Sequence, residues 1–302
     1  MELSGCGTAL VTPFRGDGAV DERALVALVN WQIESGINFL VPCGTTGEAS
    51  TMSEAENLRV VELVAGTVAG RVPVFAGCTH NSTSEAVARA KKLAQVPKLT
   101  GLLTANPYYN RPGQEGQYQH FRAIAEAVDL PILLYNIPSR TGVNLEPATV
   151  LRLAEIQNII GIKESSGNLG QITELITRVP EHFSVLAGDD GLALPVIALG
   201  GAGLVSVASN AIPVEMSHML GAALAGRWPS ARKINRQYFR LMQAHFWEPS
   251  PAPVKGVLAM MGRIEDKLRL PMVPVTDATR NKLEMLLQEL GLLHEVTIES
   301  RS

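Results

Sequence analysis

No stretch of this chain stays apolar for the roughly 20 residues that a membrane-spanning helix needs, so no such helix is expected. The opening residues, Met1-Glu2-Leu3-Ser4-Gly5, lack a basic segment followed by an apolar one, and no signal peptide is expected. Positive charge is not in excess either. A net charge of −3 over 302 residues, with no dense basic stripe, provides no field for nucleic acid or an anionic membrane. The three cysteines, Cys6, Cys43 and Cys78, are odd in number and show no CxxC spacing. Each lies in or beside an apolar run, which favours free buried thiols in a reducing cytoplasm over disulfides or zinc ligands. The six histidines are His80, His120, His182, His218, His245 and His294. None pairs with another histidine or a carboxylate at ligand spacing, so no metal is expected. A dinucleotide fingerprint is missing as well: the first apolar run ends in Thr12-Pro13-Phe14-Arg15, not G-x-G-x-x-G. These absences predict a soluble, cytoplasmic protein without nucleic-acid or membrane partners.

What is present is a rhythm. The composition, 46% hydrophobic and 18% charged, is that of an ordinary globular protein long enough for a large core. Eight short β-type runs occur at 7–12, 39–43, 72–76, 101–105, 132–135, 159–163, 184–187 and 203–207. Amphipathic helical stretches lie between them, as at 21–35, 53–69, 82–94 and 114–127. Several open on a capping signal: Asp21 before Glu22, Ser53 before Glu54 and Glu56, and Ser82 or Ser84 before Glu85. A β-then-α unit of roughly 20 to 35 residues repeated eight times predicts an α/β fold, a parallel (β/α)8 TIM barrel. From Pro213 onward the pattern is almost wholly helical, interrupted near 247–251 and 270–272. The division expected is a barrel over 1–212 and a C-terminal helical region over 213–302, with a polar, frayed end at 295–302.

In such a barrel the C-terminal ends of the strands and the loops after them face one cavity. The sixth run, Ile159-Ile160-Gly161-Ile162-Lys163-Glu164, places a lysine among isoleucines. Burying a lone ammonium is costly, which favours the neutral amine that attacks a carbonyl. Local sequence also allows a strand-end lysine that reaches solvent or pairs with Glu164. The second run ends in Gly44-Thr45-Thr46-Gly47-Glu48, two hydroxyls on a tight turn whose glycines let amides approach a carboxylate. An ordinary βα loop with a threonine cap is the plainer alternative. Asn106-Pro107-Tyr108-Tyr109-Asn110 brings paired phenols, which in loops commonly serve packing or an interface. Tyr135-Asn136-Ile137-Pro138-Ser139-Arg140-Thr141 combines a proton carrier with an anion clamp. The seventh run ends in Gly188-Asp189-Asp190, and the eighth, Gly203-Leu204-Val205-Ser206-Val207, offers small residues and backbone groups. An amine without a metal favours iminium chemistry.

Taken together, Gly44-Thr45-Thr46-Gly47-Glu48, Tyr135 to Thr141 and Gly161-Ile162-Lys163-Glu164 are recognisable, in this order and at this spacing. The chain resembles the pyruvate-dependent class I aldolase family of the dihydrodipicolinate synthases and N-acetylneuraminate lyase. The likeness runs from Gly7 to Leu270-Pro271-Met272-Val273-Pro274. It implies a Schiff base between Lys163 and pyruvate, with no other cofactor. It also implies a pyruvate carboxylate held by Thr46 and neighbouring amides, with the Val205 main chain and Gly188 lining the site. Tyr135 is then the proton shuttle, linked through Thr45 to Tyr109, which in the family reaches into the neighbouring subunit of a homodimer or homotetramer. Arg140 matches the synthases, where this position grips L-aspartate 4-semialdehyde, and not the sialic acid lyases. The implied reaction joins pyruvate to that semialdehyde in diaminopimelate and lysine biosynthesis. Asn81, Glu85 and Tyr108 match a lysine-inhibition site, but 49–57 lacks its histidines, so inhibition is not assured and His80 is at most a substitute contact. Competing readings are an aldolase or lyase acting on a 2-keto sugar acid, and a non-catalytic barrel that binds a keto acid.

Overall fold

The computed structural model describes residues 3–293, and the expectations for His294 and for 295–302 fall outside them. Eight strands form one sheet: β1 (Gly5–Ala9), β2 (Phe39–Val41), β3 (Phe75–Gly77), β4 (Gly101–Ala105), β5 (Ile132–Asn136), β6 (Ile159–Glu164), β7 (Ser184–Ala187) and β8 (Gly203–Ser206). Every pairing is parallel, β1 joins both β2 and β8, and a parallel bridge from Leu40 to Val74 links β2 to the β3 side. The sheet closes as a barrel, as the eightfold rhythm predicts. The third strand begins later than its apolar run because Pro73 has no N–H for the ladder, although its carbonyl accepts from Leu40.

Around the strands lie α1 (Glu22–Glu34), α2 (Glu54–Val68), α3 (Thr83–Leu93), α4 (Gln114–Glu126), a single turn α5 (Pro138–Thr141), α6 (Pro147–Ala154), α7 (Leu169–Arg178), α8 (Ala193–Ala198) and α9 (Pro213–Leu224). Two of the predicted caps form. Asp21 accepts from the Ala24 N–H at 2.9 Å, and Ser53 and Glu56 make a reciprocal capping box. Ser82 precedes α3 but makes no capping bond through its side chain. The remaining helices are α10 (Trp228–Ala244), α11 (Ala252–Met260) and α12 (Asp277–Glu289). Helix α9 packs on β1 and β8, as an eighth barrel helix does.

Two cores result from the two-residue period of the strands. Phe39, Val41, Phe75, Leu133, Tyr135 and Val205 pack inside the barrel, while Leu40, Ile132 and Leu134 pack outward beneath the helices. At the N-terminal end Phe39 and Phe75 meet edge to face with centroids 6.4 Å apart. They fill the floor, and Gly7 opposite leaves no room for a Cβ because Phe39 lies 2.1 Å from where it would be. The three thiols are free and buried, and burial pushes Cys43 and Cys78 up to about 12.

Candidate active site

Lys163 and Tyr135 sit opposite one another on β6 and β5, near the C-terminal ends of both strands. A register irregularity after Ile132 and Ile159 precedes this alignment. Both side chains are buried, at 5% and 6% exposure, and the Lys163 Nζ lies 4.2 Å from the Tyr135 ring centroid. Glu164 is not its partner. The Glu164 carboxylate accepts from the Asn136 amide at 2.9 Å, the Gln171 amide at 3.1 Å and the Ser166 backbone N–H at 2.6 Å. Among the described residues no acid forms an ion pair with Lys163, so the ordinary paired-lysine reading does not hold. Gly188 flanks the lysine stem: a Cβ there would stand 3.0 Å from Lys163 Cε and 1.8 Å from Ser165 Oγ.

The turn after β2 is built to present amides. The Gly47 and Glu48 N–H groups turn back to the Gly44 and Thr45 carbonyls, both at 3.1 Å. Those of Thr45 and Thr46 have no protein acceptor among the described residues. The Thr45 side chain is exposed and that of Thr46 buried. Such a pair of unused N–H groups is a ready site for an anion.

A cavity of about 410 Å³ has Thr45, Tyr135, Arg140, His80, Arg89 and Tyr108 in its wall. Arg140 rides on α5, whose single turn starts at Pro138, and its guanidinium donates to the Ser250 carbonyl at 3.5 Å. The structure thus brings Thr45, Tyr135 and Arg140 to one space, with Lys163 against the Tyr135 ring. Val205 belongs to the barrel interior beside Tyr135 and Leu186. Tyr109 does not join them: it is 90% exposed and has a left-handed φ of 75°. No hydrogen bond joins the hydroxyls of Tyr135, Thr45 and Tyr109 within the described residues. Of the three residues matched to inhibition, Tyr108 lines the cavity, and so does His80, the candidate substitute contact. The His80 Nδ1 accepts from the Ser82 N–H at 3.0 Å, a local turn contact. Asn81 donates to the Tyr108 carbonyl and to Asn110, and Glu85 lies exposed in the first turn of α3.

Two buried acids escaped the sequence reading. Asp190 accepts from the Ser206 hydroxyl and from the Val207 and Ala208 N–H groups at 3.1 Å, tying the loop after β7 to the end of β8. Burial pushes its pKa up to about 6 against those hydrogen bonds. Glu48 pairs with Lys255 of α11 at 2.6 Å, with both side chains almost wholly buried. A signal for the second was present, since Pro253-Val254-Lys255-Gly256-Val257-Leu258 sets a lone lysine in an apolar run just as 159–163 does.

The sequence matches the dihydrodipicolinate synthetase family across residues 2–290. It is 62% identical to the 4-hydroxy-tetrahydrodipicolinate synthase of Acidobacterium capsulatum over the whole of both chains. The Koribacter versatilis synthase is 57% identical, with 99% of each chain covered. Among solved structures, the chloride-inhibited dihydrodipicolinate synthase from Acinetobacter baumannii, complexed with pyruvate, superposes with a TM-score of 0.94 at 41% identity, covering 96% of this chain and 99% of that one. By sequence and by fold, the chain belongs to the dihydrodipicolinate synthetase family.

Proposed function

We infer that this chain catalyses the 4-hydroxy-tetrahydrodipicolinate synthase reaction, condensing pyruvate with L-aspartate 4-semialdehyde. The observation that carries the reading is the acid-free Lys163 against the ring of Tyr135, which lines one cavity together with Thr45 and Arg140. The Lys163 amine attacks the keto carbon of pyruvate, and the Tyr135 hydroxyl gives its proton to the departing oxygen, so that water leaves and an iminium forms. The free amides of Thr45 and Thr46 receive the carboxylate. The iminium draws electrons from the neighbouring methyl group, so no external cofactor is needed, and Tyr135 takes the proton that is released. The enamine carbon then bonds to the aldehyde carbon, whose oxygen takes the electron pair of the C=O bond and the proton held by Tyr135 to become the product hydroxyl. The amino group of the semialdehyde moiety closes the ring onto the iminium carbon and displaces Lys163, restoring the free amine.

Arg140 supplies the fixed positive charge for the semialdehyde carboxylate, and its exposed position on α5 suits a substrate that arrives second. Tyr109 completes the hydroxyl relay in a second copy of the chain, so the working form is a homodimer or homotetramer. Its 90% exposure in the isolated chain supports that role. The expected setting is the cytoplasm, where the diaminopimelate and lysine pathway uses the product.

The test is substrate choice. Turnover of pyruvate with the semialdehyde is expected, and cleavage of N-acetylneuraminate or a 2-keto-3-deoxy acid is not; the reverse result overturns the assignment. Arg140→Ala should raise the semialdehyde KM by about 10- to 100-fold while pyruvate still forms its adduct. An unchanged KM removes Arg140 from the clamp.

A further inference from the structure

The turn that offers the Thr45 and Thr46 amides is held from below by a residue 207 positions away in the chain. The Lys255 Nζ donates to Glu48 Oε1 at 2.6 Å and to the Thr12 carbonyl at 3.0 Å. The Thr12 hydroxyl in turn donates to the Gly47 carbonyl at 2.7 Å. The second Glu48 oxygen accepts from the Arg269 backbone N–H at 3.2 Å. Glu48 has a left-handed φ of 55°, which a residue with a Cβ keeps only when its surroundings hold it. The fully buried Phe14 ring is within reach of both cations, its centroid 4.3 Å from Lys255 Nζ and 4.5 Å from the Arg269 guanidinium carbon. Arg269 carries the tether outward by pairing with Glu56, the residue of the α2 capping box.

We propose that Lys255 is a positioning residue for the pyruvate carboxylate: through Glu48 and Thr12 it fixes the amide-bearing turn 44–48 in its receiving geometry. The proposal rests on the synthase reading and adds a role for a helix outside the barrel. A buried ion pair is a poor source of net stability, because desolvation offsets most of the attraction. What it supplies is direction: a short, doubly bonded ammonium leaves the turn one position.

The experiment compares wild type, Lys255→Met and the double variant Lys255→Met/Glu48→Gln in steady-state kinetics, borohydride trapping with pyruvate, and thermal melting. Lys255→Met should raise the pyruvate KM by at least about tenfold, with turnover at saturating pyruvate and the semialdehyde KM little changed. The double variant removes the stranded carboxylate, so it should regain melting temperature without regaining the pyruvate KM. If Lys255→Met does not fold, the double variant carries the test alone. A pyruvate KM that returns with stability, or never moves, overturns the proposal and marks the pair as structural only. A parallel fall in all kinetic constants overturns it too. Wild type that traps no pyruvate defeats the synthase reading itself, whereas equal KM values in wild type and variants defeat only the role of Lys255.

Discussion

Lys163 and Lys255 have much in common. Each is a lone lysine in an apolar run, each is buried, and each lays its ammonium over an aromatic ring, 4.2 Å from Tyr135 in one case and 4.3 Å from Phe14 in the other. They differ in their acids. Lys255 has the Glu48 carboxylate at 2.6 Å and a carbonyl as well, while Lys163 has no acid partner among the described residues. They differ too in what lies beyond: solvent-excluded packing around Lys255, and next to Lys163 the Tyr135 ring, which itself lines a substrate-sized cavity. Burial pulls the Lys255 pKa down and Glu48 opposes the pull, so that ammonium is occupied as a charged partner. Burial and an aromatic face are therefore shared by a structural lysine and a candidate nucleophile. The missing counter-ion and the adjoining cavity separate them.

Reduction with borohydride in the presence of pyruvate puts the contrast to its strongest test. All added mass should map to Lys163 and none to Lys255, so Lys163→Ala should lose the adduct entirely while Lys255→Met retains it at saturating pyruvate. A peptide carrying the adduct on Lys255 breaks the comparison. The next effect concerns what stands in for the absent acid. Tyr135→Phe keeps the ring over the ammonium and deletes the proton carrier, so turnover should fall by about 10²- to 10⁴-fold in a stopped assay. The trapped adduct should still appear. Unchanged turnover leaves the ring, and not the hydroxyl, as the contribution of Tyr135.

The same contrast explains which parts of the molecule were legible before the structure. Strand and helix positions follow from local periodicity and caps, so all eight strands and the four highlighted helices fall near their predicted places. Residues at the strand ends inherit their location from the topology, which is why Tyr135, Thr45 and Arg140 could be expected at one cavity. The ends of individual strands were less legible. Pairing with β8 begins β1 at Gly5, and a proline delays β3. Contacts that close over long chain distances were not legible at all. Nothing near Lys255 announces Glu48, and nothing near Asp190 announces the amides of Val207 and Ala208. Tyr109 shows the opposite limit, since its loop sends it away from the cavity of its own chain.

Asp190 extends the comparison to a buried acid that lacks a cation. It is 2% exposed and relies on one hydroxyl and two backbone N–H groups, and burial lifts its pKa from 3.8 to about 6. The sign follows from linkage. Because the folded value is the higher one, the fold binds the extra proton between the two values. This contribution to stability is present in full below 3.8 and is lost as pH rises through about 6. Asp190→Asn keeps an acceptor for the amides and a partner for Ser206 while removing the titration. The stability difference between wild type and variant should therefore favour wild type most in acid. It should shrink by about 1.4 kcal/mol per pH unit across that window and level off above it. Denaturant midpoints taken from pH 3.5 to 8 read this directly. A difference that does not vary with pH means that three neutral donors suffice to keep the acid ionised. In that case the separation drawn between Lys163 and Lys255, that a buried charge here needs an opposite one, weakens with it.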